Sequence, residues 1–230
     1  MAASGDRPEN FSVTGYWLKN NVLSAIIYCI VALCLYGIGQ AVRNGEADGG
    51  SIFSWIYFLA GVILWTLAGL AEGVLTGAAL QRIVPFLPVR SWLVLHAAIA
   101  AVLFAGFGMV GPETGGRLNR VDAPPMAFEL LVVGFFGATI GAAIGGFQAL
   151  VLRAVAFGTG FWLAWSAAAY AAGMIVGVGG EMVLELDAGL AGAVARRLID
   201  VLSAIVGSVV MLPALWRLKS RTLTLAGRAL

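Results

Sequence analysis

The sequence predicts an all-α membrane protein, a six-transmembrane-helix bundle with an internal parallel two-helix repeat. Composition is the first reason. Of 230 residues, 60% are hydrophobic and only 11% charged, where a soluble domain carries about 25% charge. The second reason is that the mean hydropathy of +0.93 is concentrated in long unbroken runs. Lipid admits only helices or closed barrels, and runs without alternation select helices. The third is a glycine beat that occurs twice: Gly69, Gly73 and Gly77, then Gly137, Gly141 and Gly145.

A spanning helix needs about 20 mainly apolar residues, and six segments qualify. Segment one, Asn21 to Gln40, carries no charge; the 19 residues before it are polar, lack a signal-peptide core, and are expected to form a cytoplasmic tail (1–19). Segment two, Ile52 to Gln81, has one charge, Glu72. Segment three runs from Ser91 to Val110, segment four from Met126 to Leu152, and segment five from Phe161 to Val178. Segment six, Leu198 to Trp216, has Asp200 at one end and Pro213 near the other. Segments two and four exceed the span, which predicts tilt or a projecting turn. The connections "RNGEADGGS", "RIVPFLPVR" and "AVAFGTG" are turn-like, and no stretch has room for a soluble domain. The expected organisation is one membrane domain over 20–220, its repeat hairpins at 52–110 and 126–178, and a tail at 221–230.

Basic residues orient the bundle. Arg7, Lys19, Arg82, Arg90, Arg153, Arg217, Lys219, Arg221 and Arg228 fall on one side; Arg43, Arg117, Arg120, Arg196 and Arg197 fall on the other. The richer side is expected to be cytoplasmic, with both termini inside a bacterial inner membrane. The outer loops hold the acids Glu46, Asp48, Glu113, Asp122, Glu181, Glu185 and Asp187. Arg196 is expected to pair with Asp200 one turn on. Trp17, Trp55, Trp92, Trp162 and Trp216, near segment ends, read as interfacial indoles.

The repeat joins a glycine-striped helix to a tryptophan-led one. "WLVLHAAIAA" from Trp92 and "WLAWSAAAYAA" from Trp162 share Trp, Leu and alanines in register, and both hairpins run the same way through the membrane. Residues four apart share a helix face, so the glycines cut a flat groove. Helices in lipid associate mainly by close van der Waals packing. The glycines are therefore expected to meet other helices, with Ala97, Ala101 and Ala105, and Ala169, Gly173 and Gly177, as receiving faces. A glycine-lined pathway or cofactor slot is the alternative. Segment six, with Ser203 and Gly207, reads as half of a possible third copy. The pattern Gly141, Gly145, Gln148, Leu152, Arg153, then Trp162 resembles repeated hairpins of uncharacterised bacterial multi-pass membrane proteins, and it brings no activity with it.

Few residues offer chemistry. Glu72 lies within a span, where an ionisable group is by default a functional site; a proton-coupled carrier or a polar substrate contact uses such a group, and a hydrogen bond to a neighbouring helix is the structural alternative. Gln81 and Gln148 lie near the cytoplasmic helix ends, either as interfacial amides or as a pseudo-symmetric polar patch opening inward. His96 is the single histidine, which excludes a bis-histidine haem and a multi-histidine metal cluster, and it reads as an interfacial histidine. Ser208 has no partner base near it in sequence. P-loop, paired intramembrane aspartates and an intramembrane lysine are all missing. Cys29 and Cys34 read as small buried hydrophobes. No cofactor is expected, and a net charge of +2 is too small to suggest nucleic acid. The expected partners are the lipid bilayer and, beyond it, another membrane protein or a second copy. The sequence favours a small-molecule transporter or substrate-binding membrane subunit, then a non-catalytic accessory subunit of a larger membrane complex, and last a lipid-processing enzyme.

Overall fold

A computed structural model describes residues 8–45, 50–108, 126–184 and 189–220. They form α1 (Pro8–Gly45), α2 (Gly50–Gln81), α3 (Val89–Leu103) with a π-helical turn at Phe104–Gly108, α4 (Met126–Arg153), β1 (Ala156–Phe157), α5 (Thr159–Leu184), α6 (Leu190–Val210), α7 (Leu212–Arg217) and β2 (Lys219–Ser220). Six helical stretches are long and apolar enough to cross a membrane: Val13–Val42, Trp55–Gln81, Val89–Gly106, Met126–Arg153, Thr159–Leu184 and Leu190–Arg217. Most of each apolar window faces outward. Large aliphatic and aromatic side chains such as Leu59, Ile63 and Leu67 on α2 and Phe135 and Phe136 on α4 stand exposed.

Several boundaries differ from the sequence reading. α1 begins at Pro8, inside the expected tail, because proline suits a first helical turn and no breaker stronger than Gly15 follows. α5 continues past Val178 to Leu184, and α6 begins at Leu190, eight residues before the expected Leu198. Pro213 ends α6: it has no N–H to give the preceding turn. The chain turns at Met211 and resumes as the short α7. The outer-loop acids other than Glu181, with Arg117 and Arg120, lie outside the described residues, as do Arg7, Arg221 and Arg228.

The helices follow one another around a ring: α1 beside α2, α2 beside α3, α4 beside α5, α5 beside α6, and α6 closing onto α1. α3 touches α4 only lightly, which leaves one thin seam. The packed core sits at one end of the ring. There Trp17, Leu80, Val84, Trp92, Leu152, Trp162 and Leu215 are buried together. Two turns seal that end. In the α2–α3 turn, Pro85 follows the end of α2, Pro88 is the N-cap of α3, and Val84 N–H bonds Leu80 O at 2.8 Å. In the α4–α5 turn, β1 pairs antiparallel with β2 (Ala156 with Ser220, Phe157 with Lys219). Gly158 holds φ 85 there, and a Cβ on it would lie 2.5 Å from Arg217 O.

Candidate functional site: a cavity on a tryptophan floor

The odd-numbered long helices each place a tryptophan near the start, and the turns bring the three together. Trp162 meets Trp17 edge-on, with ring centroids 5.9 Å apart, and Trp92 at 6.4 Å. All three are buried. The expected interfacial role fails for these three because their indoles fill the closed end of the ring; Trp55 and Trp216 are exposed.

Above this floor lies a cavity of about 470 Å³ to which all six long helices contribute, within the size range of small-molecule sites. One turn along from each floor tryptophan stands a polar residue that lines it: Asn21, His96 and Ser166. Trp92 Nε1 donates to Thr76 Oγ1 at 3.1 Å, and Trp162 Nε1 donates to Gln148 Oε1 at 2.9 Å. Trp17 Nε1 is buried without an acceptor.

His96 is buried, not interfacial. Its Nδ1 lies 2.9 Å from Trp92 O, which only accepts, so Nδ1 carries the proton. Nε2 then accepts from Gln148 Nε2 at 3.3 Å. The result is one directed chain, from the Trp162 N–H through the Gln148 amide and the His96 ring to Trp92 O. It fixes the amide orientation and the histidine tautomer together, and it spans the α3–α4 seam. Gln148 is the single α4 residue in the cavity wall.

Glu72 faces the cavity from α2 and accepts a hydrogen bond from Tyr28 Oη at 2.8 Å. Tyr28 in turn rests against Trp65, centroids 5.1 Å apart. Tyr170 lines the wall from α5. Farther from the floor, the wall ends in Glu181 and Asp200. Asp200 is held by Arg197 Nη1, three residues before it and next to the expected Arg196, at 2.8 Å.

Gln81, by contrast, is exposed at the end of α2 and does not line the cavity. The two glutamines are not brought together. The residue that does for the first hairpin what Gln148 does for the second is Thr76. The signal for it lay in the tryptophans, since a buried indole N–H usually finds an acceptor, and Thr76 and Gln148 supply those of Trp92 and Trp162.

The glycines show why. A Cβ on Gly69 would come within 2.6 Å of His96 O, and one on Gly73 within 3.1 Å of Leu93. A Cβ on Gly141 would overlap Ser166 O, and one on Gly145 would overlap the Ser166 side chain. Gly77 faces Trp92 at 3.1 Å, and Gly137 faces Tyr170 O at 2.8 Å. The α2 glycines thus meet Leu93, His96, Ala97 and Ala100, not the expected Ala101 and Ala105. The Gly173 and Gly177 face receives α6 instead of α4: both lie against Ser203, at 3.3 and 3.2 Å, while Gly207 meets Ala169 O at 3.3 Å.

Other chemistry is engaged elsewhere. Ser208 Oγ donates to Ala204 O at 2.6 Å, and Ser166 Oγ contacts Met211 Sδ at 3.7 Å. Both ring nitrogens of His96 have partners other than serine, so among the described residues no serine is paired with the histidine. Cys29 is buried and its thiol contacts Arg197 O at 3.2 Å, but Cys34 is exposed, contrary to its expected burial. Among the described residues, no group of three or more His, Cys, Asp or Glu side chains is placed to hold a metal ion. Comparison of the chain with protein-family models, with curated proteins and with solved structures finds no match in any of the three.

Proposed function

We propose that this chain is a bacterial inner-membrane protein that binds a small molecule inside its helix ring, as a transporter or as the substrate-binding subunit of one. The carrying observation is the cavity itself, with Glu72 in its wall. A protein whose task is only to hold partners has no need of a tryptophan-floored hollow between its helices, nor of an acid facing it. The accessory-subunit reading would be favoured by small-residue faces left open for a partner. The α2 and α4 glycine faces are instead occupied by this chain's own α3 and α5. The enzyme reading lacks a nucleophile–base pair.

The internal repeat enters this reading in a shifted register. Gly69 and Gly141 face His96 and Ser166; Gly73 and Gly145 face Leu93 and Leu163. Thr76 and Gln148 then accept from Trp92 and Trp162. This supports pairing Gly69 with Gly141 and Gly73 with Gly145, one turn away from the pairing the glycine beat suggests. Glu72 then matches Ile144, so one copy of the hairpin carries the acid and the other does not.

The test is accessibility. In a variant with Cys29 and Cys34 replaced by alanine, Ser24→Cys places a thiol in the cavity wall and Leu80→Cys places one in the packed end. In lipid vesicles, a small maleimide should label the first at least tenfold faster. Equal rates would remove the cavity reading. Recovery of a stoichiometric partner in gentle detergent, together with equal rates, would favour the accessory subunit.

A further inference from the structure

We infer that the ligand of this cavity is an organic cation, a quaternary or protonated amine with an apolar body; this rests on the small-molecule reading above. Among the described residues, the charged side chains in the wall are Glu72, Glu181 and Asp200, and no lysine or arginine lines it. Asp200 is neutralised by Arg197 at the end far from the floor. Among the described residues the Glu72 side chain has no such counter-ion; its carboxyl group accepts from the Tyr28 hydroxyl, a neutral donor that orients it. A low-dielectric hollow with an uncompensated acid focuses a negative field and repels anions. Its remaining surface is suited to the same guest. Tyr28, Tyr170 and the floor tryptophans line the hollow, and an ammonium over the face of such rings is attracted by their quadrupole, the more so when desolvated.

The geometry orders the guest. Its cationic head lies against Glu72, Tyr28 and Tyr170, and its apolar body lies toward Trp92 and Trp162. Sequence reading pointed to Glu72 as a proton or substrate group without a sign for the substrate; the absence of cations around it in the wall supplies the sign.

The experiment uses the full chain in lipid nanodiscs, with empty nanodiscs as the partition control. Three probes of one shape are titrated by calorimetry: benzyltrimethylammonium, its neutral carbon isostere neopentylbenzene, and phenylmethanesulfonate. The cation should bind at least tenfold more tightly than the neutral isostere, and the sulfonate should not bind. Glu72→Gln, which keeps an acceptor for Tyr28, should weaken the cation at least tenfold and leave the neutral probe unchanged. Equal affinity of cation and isostere, or a folded Glu72→Gln protein that keeps full cation affinity, overturns the inference. If Glu72→Gln does not fold, the ratio of cation to isostere in the parent protein decides alone. If no probe binds while Ser24→Cys is labelled, the cation inference falls and the cavity reading stands. If no probe binds and Ser24→Cys is unreactive, both fall.

Discussion

Gly141 and Gln148 sit two turns apart on α4 and do opposite jobs. Gly141 is a place where nothing fits. A Cβ there would overlap Ser166 O and lie 2.7 Å from Tyr170 Cβ, and backbone cannot step aside as a flexible side chain can. Gly141→Ala should therefore push α4 from α5 and destabilise the protein by about 1–3 kcal/mol, the usual cost of overpacking. Gly146→Ala, one turn on and with its nearest neighbour at 3.8 Å, is the matched control and should leave the unfolding midpoint in place. Gln148 is a place where something must be. Gln148→Leu keeps much of the volume but leaves the Trp162 N–H without its acceptor and His96 Nε2 without its donor. Each buried orphan costs about 1–3 kcal/mol, so thermal unfolding in detergent should show a larger loss than for Gln81→Leu, which changes an exposed amide. Equal losses would mean that the Trp162–Gln148–His96 chain is not what joins α3 to α4.

The helices themselves were written plainly in the sequence. Long apolar runs with few charges, and turns rich in glycine and proline, decide where the helices begin and end, and those are local properties. What the pattern hid was register. Glycine every fourth residue says that a face is flat, but sliding a stripe by one turn leaves it flat. Only the partner helix selects the turn that meets it, and that selection depends on Trp92, His96, Trp162 and Ser166. Thr76 went unnoticed for the same reason: a threonine in an apolar helix usually bonds its own carbonyl four residues back, as Thr76 does with Glu72 O at 2.8 Å. Its second role, accepting from Trp92, is long-range. Thr76→Val, which keeps the shape, should cost about 1–3 kcal/mol by orphaning the buried indole N–H. Thr139→Val is the contrast: Thr139 is exposed and bonds only Phe135 O at 2.9 Å, so its loss should stay within about 0.5 kcal/mol. Chemical denaturation of the two variants beside the parent separates them. The cavity was equally out of reach, because it is a relation among Trp17, Trp92 and Trp162, which are far apart in sequence.

At the scale of the whole molecule, the packed end of the ring is also its basic end. Lys19, Arg82, Arg90, Arg153, Arg217 and Lys219 belong to it, and it is tied together by contacts across the chain. Arg82 stacks over Tyr16 at 3.8 Å, Arg217 over Phe161 at 4.5 Å, and Trp216 Nε1 donates to Thr14 Oγ1 at 3.1 Å. Moving such a cluster through lipid is costly for every charge, and basic residues near spanning helices stay on the cytoplasmic side. On the proposed reading, six crossings return the chain to the side on which it started. This predicts that Phe86, exposed in the α2–α3 turn, faces the cytoplasm and that Leu190, exposed at the start of α6, faces outward. In a variant with both native cysteines replaced by alanine, a membrane-impermeant maleimide applied to intact cells should label Leu190→Cys at once. Phe86→Cys should be labelled only after the membrane is opened. The reverse pattern would invert the orientation while keeping the six crossings. Labelling of both positions from the same side would break the six-crossing arrangement itself.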